Sequence, residues 1–249
     1  MKNDYFIYGT RPILEALEAK KTIDKLFVQK GINNEAVQSI IKLSHKNGVL
    51  VKYVPVEKLN RLTNKNHQGT CAFLSPIEFY SIQDLLPSIF ESGKTPLILL
   101  LDSITDVRNF GAIARTAECT QVDAIIIPNE RTAALNEDAV KTSAGALFNI
   151  PICKEKNLVD TIDFLKQSGI KVFSASEKAK KTVYESDFSV PMALVMGSEE
   201  DGISKKILDR SDEVIKLPIF GKTQSLNVSV ACGVVLYEVV RQRVGTKVE

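Results

Sequence analysis

The second half of the chain is written in short apolar runs. "PLILLLD", "VDAIIIP", "KVFSAS", "MALVMG" and "EVIKLP" hold almost no polar residue in their middles. A half-buried strand alternates apolar and polar positions, whereas a strand without alternation is covered on both faces. These runs therefore predict a mostly parallel sheet with helices over it. The intervening segments "NFGAIARTAECTQ", "NEDAVKTSAGALF" and "NLVDTIDFLKQSG" read as those helices. The stretch "FGKTQSLNVSVACGVVLYEVVRQR", Phe220 to Arg243, ends as an amphipathic helix with Val228, Cys232, Val235, Leu236 and Val239 at helical spacing.

The first part of the chain has a different rhythm. "DKLFVQKG", "GVLVKYVP" and "GTCAFLS" read as short strands, and "GTRPILEALEAKK" and "NEAVQSIIKLSHKNG" as helices, the second stopping at Gly48. Residues 1–75 thus predict a small α/β unit. Pro76, Pro87 and Pro96 punctuate residues 76–95, which hold one short helix, "SIQDLLPSIF", and are expected to be a linker. Residues 96–249 are expected to form the sheet domain. No internal repeat or low-complexity tract interrupts either part.

Composition narrows the class. The chain has 249 residues, 44% hydrophobic and 25% charged, the balance of a globular protein. No apolar run reaches the roughly 18 residues of a membrane span. Charges in "MKNDYFIYGTRPILEAL" stand where a signal peptide needs its apolar stretch. Cys71, Cys119, Cys153 and Cys232 are scattered and form no C-x-x-C pair, so reduced core cysteines and a cytoplasmic location without membrane contact are expected. There are 2 histidines, which argues against chemistry built on a histidine base; His67 reads as a turn residue before a strand. The net charge of +2 hides an asymmetry. Up to Ser75 there are 12 Lys and Arg against 6 Asp and Glu, and beyond it 20 against 24. The leading unit is expected to meet something anionic.

No G-x-x-x-x-G-K-[ST] loop occurs, and no G-x-G-x-x-G follows a strand, so the common nucleotide fingerprints are absent. Three other stretches stand out. In "LDSITDVRNFGAIARTAE" a strand ends at Leu101, Asn109 stands where a helix N-cap belongs, Gly111 permits close backbone approach, and Arg115 reads as the lone cation on a helix of small residues. In "LVMGSEEDGIS" a strand ends at Gly197 before Glu199 and a second glycine. In the third stretch Ser225 and Asn227 precede an apolar helix. They are either caps for its orphan N–H groups or donors aimed at a ligand, and the local residues fit both readings.

Taken in order, N-x-G-x-x-x-R, then M-G-S-E-x-x-G, then L-P-x-x-G-x-x-x-S-L-N-V-S-V-A resemble the three motifs of the SpoU/TrmH family of RNA ribose 2′-O-methyltransferases. The resemblance covers residues 95–243. The leading unit, from "YGTRPILEAL" to "HQGTCAFLS", resembles the substrate-binding domain of the RlmB-type subgroup, which methylates a guanosine of large-subunit ribosomal RNA. The resemblance implies a trefoil-knotted α/β fold, a homodimer with active sites at the subunit interface, and S-adenosyl-L-methionine as cofactor. It places Asn109 and Arg115 in the first motif's functional pair, Glu199 as the acid of the second, and Ser225 and Asn227 in the third. Gly197, Leu217 and Leu226 fall where relatives hold the cofactor. It implies no metal, and the sequence offers no metal cluster.

An arginine stays protonated, so the role implied for Arg115 is electrostatic: it stabilises the alkoxide that develops as a ribose hydroxyl loses its proton. The expected substrate is 23S rRNA, with tRNA as the nearest alternative. A non-catalytic RNA-binding ribosome-assembly factor is the rival from another class, and the complete residue set argues against it.

Overall fold

The computed structural model describes residues 5–198, 200–223 and 225–245. It divides into two compact units, Met1–Glu78 and Phe79–Glu249.

The first unit runs β1 (Phe6–Tyr8), α1 (Thr10–Glu18), β2 (Ile23–Gln29), α2 (Glu35–Lys46), β3 (Val51–Val54), α3 (Val56–Leu62), β4 (Thr70–Leu74). Its four strands lie in the order β1-β4-β2-β3. β4 runs antiparallel to both neighbours, and β3 parallel to β2. The helix α2 begins because Asn34 Oδ1 accepts a hydrogen bond from the Val37 N–H at 2.9 Å. It ends before Gly48, whose φ of 69° suits a residue without a Cβ. Ile13 and Leu17 of α1 and Val37 and Ile40 of α2 pack on Leu26, Val28 and Ala72 of the sheet. The turn before β4 is held by His67, which is buried: its Nδ1 accepts from the Gly69 N–H at 3.0 Å and its Nε2 faces Asn60 Oδ1 at 2.9 Å.

The second unit runs β5 (Phe79–Tyr80), α4 (Ile82–Glu91), β6 (Leu97–Asp102), α5 (Val107–Cys119), β7 (Ala124–Pro128), α6 (Glu137–Thr142), β8 (Ile152–Glu155), α7 (Leu158–Gln167), β9 (Lys171–Ala175), β10 (Lys181–Thr182), β11 (Met192–Gly197), α8 (Lys205–Leu208), β12 (Glu213–Lys216) and α9 (Val228–Gly245). The eight strands lie in the order β10-β12-β9-β11-β6-β7-β8-β5, and every pairing is parallel. The apolar runs are the inner strands: every residue of β6 is buried. Alternate residues of β6, β7 and β11 face α4 and α7, with Leu86, Ile162 and Leu165 in that layer. α9 packs against α5 and β11. Arg243 fastens its end by donating to the carbonyls of Thr95, Pro96, Phe188 and Val190 at 2.7–3.0 Å.

Three expectations need correction. Residues 76–95, expected as a linker, carry β5, which pairs with β8, and α4, whose Ile82, Leu86 and Ile89 are core residues of the second unit. Three prolines misled because Pro87 sits inside α4 without ending it. Cys119, expected in the core, is exposed at the end of α5, while Cys71, Cys153 and Cys232 are buried. The α9 helix is not simply amphipathic. Val228, Cys232, Val235, Leu236 and Val239 are buried as expected, but Val230, Val234, Tyr237 and Val244 form a second, exposed apolar stripe. Among the described residues no helix is long and apolar enough to cross a membrane.

Candidate functional site

The strand order reverses beside β6. β7 and β8 step away to one side, β9 starts the other side, and β11 returns to lie between β9 and β6. Ligands of parallel α/β sheets bind outside the carboxyl ends of the strands at such a reversal. Here those ends are Asp102 of β6, Ala175 of β9, Gly197 of β11 and Lys216 of β12.

After Gly197 the chain folds back at once. Ser198 and Gly202 bridge each other, and Gly202 takes φ 67°. A Cβ on Gly197 would lie 2.2 Å from the Gly202 carbonyl carbon and 2.3 Å from the Ile203 nitrogen, so only glycine permits this turn. Asp102, buried at the end of β6, anchors the same segment by accepting from the Ser204 N–H at 2.9 Å.

The helix α5 starts earlier than its sequence suggested. Its N-cap is Asp106, whose Oδ1 accepts from the Asn109 N–H at 2.7 Å, so Asn109 lies in the first turn rather than at the cap. Arg108 also belongs to α5, so Arg115 is not its lone cation. Gly111 does meet the close approach expected of it: a Cβ there would be 2.6 Å from Thr142 Cβ.

Asn227 caps α9. Its Oδ1 accepts from the Ser229 N–H at 2.9 Å and from Ser229 Oγ at 2.5 Å. Its Nδ2 meanwhile donates to Asn109 Oδ1 at 3.0 Å. One amide therefore ties the start of α9 to the start of α5 across 118 residues of chain. Ser225 is exposed beside it, with no hydrogen-bond partner among the described residues.

A cleft of about 670 Å³ opens on these elements. Gly197, Leu217, Leu226, Ser225 and Asn227 all line it, so the three residues expected to hold a cofactor share one cavity with two of the expected catalytic ones. Met196, Ile219 and Val235 supply further apolar wall, and Glu177, Lys178 and Asp201 supply charge. A smaller cavity of about 280 Å³ adjoins it. Asn109 lines this one, with Asp106 and Arg131, and the two cavities share Ser198, Glu200, Asp201 and Val228. Arg115 lines neither; it stands on the exposed face of α5 with Arg108 and Cys119. Glu199, the remaining expected residue, lies outside the described residues.

Sequence reading missed Asp106, Arg131 and the Asn109–Asn227 bond. An acidic residue three positions before Asn109 was a readable cap signal. The "PNERTAALNEDA" loop that carries Arg131 gave none.

Two family models match the chain: the SpoU rRNA Methylase family over residues 96–237, and RNA 2′-O ribose methyltransferase substrate binding over residues 6–80. YacO of Bacillus subtilis (strain 168), named for the TrmH family of tRNA/rRNA methyltransferases, is 35% identical over 242 residues, covering 97% of each chain. A Staphylococcus aureus (strain MSSA476) protein named for the same family is 37% identical over 243 residues, 96% of this chain and 97% of that one. Among solved structures, an AdoMet-bound rRNA methyltransferase from Sinorhizobium meliloti shares the fold at a TM-score of 0.61 and 23% identity, covering 95% of this chain and 87% of that one. A TrmH/SpoU tRNA modifying enzyme from A. aeolicus aligns at a TM-score of 0.57 and 29% identity over 66% of this chain and 85% of that one.

Proposed function

This chain belongs to the SpoU rRNA methylase family, and from that premise we propose that it methylates a ribose 2′-hydroxyl of RNA using S-adenosyl-L-methionine. The observation that carries the reading is that the second and third motifs line one cleft, while Asn109 of the first lines the adjoining cavity and is joined to the third by the Asn227–Asn109 bond.

The cleft suits the cofactor. Its volume lies in the range of small-molecule sites, roughly 300–1,000 Å³. Leu217 and Leu226 give an apolar bed for a nucleobase, while the mixed charges on its rim suit a zwitterionic tail. The bound cofactor supplies a methyl already carried on a sulfonium, so the electrophile needs no further activation. The protein's task is the weak nucleophile. The ribose hydroxyl must shed its proton to solvent water as it attacks, and fixed donors around the nascent alkoxide lower that barrier. Ser225 stands on the cleft wall as a neutral donor. Asn109 and Asn227 fix the two helix starts between which the hydroxyl is presented.

Arg115 lies outside both cavities of its own protomer, so this reading is completed by a second copy. We infer a homodimer at micromolar concentration in which the partner subunit's Arg115 reaches the cleft and stabilises the alkoxide. The exposed stripe Val230, Val234, Tyr237 and Val244 on α9, beside α5, supports it. The same reading includes a knotted C-terminal stretch, a cytoplasmic location, and a guanosine of 23S rRNA as substrate, with tRNA second; the N-terminal unit's match to a substrate-binding model supports an RNA substrate, and the rRNA choice follows from that unit's resemblance to the RlmB-type subgroup.

The test is transfer of labelled methyl to transcribed 23S rRNA and to unmodified tRNA, followed by mapping of 2′-O-methyl positions. Label at a ribose of rRNA is expected; base methylation or none refutes the reading. Arg115→Ala should lose a factor of about 10²–10³ in turnover while keeping cofactor affinity. Mixing Arg115→Ala with Asn227→Asp should restore activity, because hybrid dimers contain one intact site.

A further inference from the structure

We propose that Arg131 is a phosphate-binding residue for the RNA strand, kept in place by Asp201 until RNA displaces that carboxylate; this deepens the reading above and rests on it. The smaller cavity borders the larger through Ser198 and Asp201, so whatever fills it lies against the methyl-donor cleft. On a ribose, the carbon next to the one bearing the 2′-hydroxyl carries the 3′ phosphate. A hydroxyl delivered to the cleft therefore brings a phosphate with it. Among the described residues lining the smaller cavity, Arg131 is the one cation.

Its present partner is weakly committed. Arg131 Nη2 donates to Asp201 Oδ2 at 3.0 Å, and the two side chains are 71% and 69% exposed. An ion pair so open to solvent adds little and exchanges readily. A phosphodiester offers the planar guanidinium a second acceptor that this single contact does not. Two further acids stand on the wall: Glu200, which is exposed to solvent, and Asp106, which already caps α5, where the helix dipole offsets its charge. Arg131 also holds φ 55°, a left-handed conformation costly for a side chain of its size and the kind of strain that collects at functional positions.

The assay is affinity for transcribed 23S rRNA, and separately for unmodified tRNA, at several salt concentrations with S-adenosylhomocysteine present. The proteins are wild type, Arg131→Ala, Asp201→Asn and the double variant. Losing one phosphate contact should weaken binding about tenfold and lower the salt slope by about one. Asp201→Asn should tighten binding by up to about fivefold, since it frees the guanidinium. The double variant should match Arg131→Ala. A structural latch predicts the reverse pattern: both single variants lose thermal stability, and affinity and salt slope stay at wild-type values. That result overturns the proposal. So does an Asp201→Asn gain of the same size in the Arg131→Ala background, which would mark a general field effect. Methyl transfer by the wild type is read in parallel. Binding without transfer would sink the reaction assigned above, while the Arg131 comparison is decided by the binding arms alone.

Discussion

The amide of Asn227 faces two ways, and the two atoms can be separated chemically. Oδ1 satisfies the first N–H groups of α9, and Nδ2 holds Asn109. Aspartate keeps an accepting oxygen at the cap, where negative charge is favoured, but cannot donate to Asn109. Asn227→Asp should therefore melt close to wild type and turn over at least about tenfold more slowly, because two carbonyl-type oxygens would confront each other across the site. Asn227→Ala should lose the rate and also about 0.5–2 kcal/mol of stability. Ser225 caps nothing among the described residues, so Ser225→Ala should leave the melting temperature unchanged and slow only the reaction. Thermal unfolding beside single-turnover methylation decides this. A wild-type rate in Asn227→Asp would reduce the residue to a cap.

At the scale of elements, the exposed apolar second stripe of α9 is the surface the proposed dimer would cover. Val234→Asp should shift sedimentation to the 27.5 kDa species and abolish methyl transfer while cofactor affinity persists. A dimeric, active Val234→Asp would place the interface elsewhere. A second element-scale feature is Glu213 of β12. Burial works to raise its pKa, but hydrogen bonds from Lys171, Lys181 and Ser186 outweigh burial and bring it to about 2. Lys171 and Lys181 stand on β9 and β10, the strands on either side, at 2.5 and 2.6 Å. A carboxyl whose folded pKa is depressed stabilises the fold above its ordinary value near 4.5. That contribution fades as pH falls from about 4.5 to about 2, so the stability gap between wild type and Glu213→Gln should close over this window. A gap that stays constant in denaturant titrations at pH 5, 3.5 and 2 (about 4.5 to 2 being the window) would show the pair contributes nothing. The central strands were legible in sequence because burial on both faces leaves an unbroken apolar run, as in β6 and β11. β5 and β10, with 2 residues each, carry no period to read and exist only through their neighbours. The same limit hid part of the site. Motif residues announced themselves, but the Asn109–Asn227 bond and Arg131's place depend on how distant loops meet.

The whole molecule sorts its charge by unit. Residues 1–75 hold 12 Lys and Arg against 6 Asp and Glu, and the remainder leans acidic. The first unit has a core of its own around Leu26 and Ile40, and the two sheets share no strand. Lys58 covers the buried ring of Phe27 at 5.3 Å from its centroid, Lys65 lies 6.0 Å from that of half-buried Tyr8, and Tyr53 is exposed. Exposed Tyr53 and the neighbouring lysines suit a nucleic-acid strand, whose bases stack and whose phosphates pair. The described lining of the cleft proposed to hold the cofactor comes from the second unit. Phe79–Glu249 produced alone should therefore bind S-adenosylhomocysteine as the full chain does, and bind rRNA fragments with lower affinity and a shallower salt dependence. A subtler variant guards against damage from truncation. Lys52, Lys58 and Lys65 changed together to Gln in the full chain should reduce the salt slope by up to about three phosphate contacts, since each lysine releases roughly one counterion. If the slope holds in both variants, RNA is read by the second unit, and the basic excess of the first has another purpose.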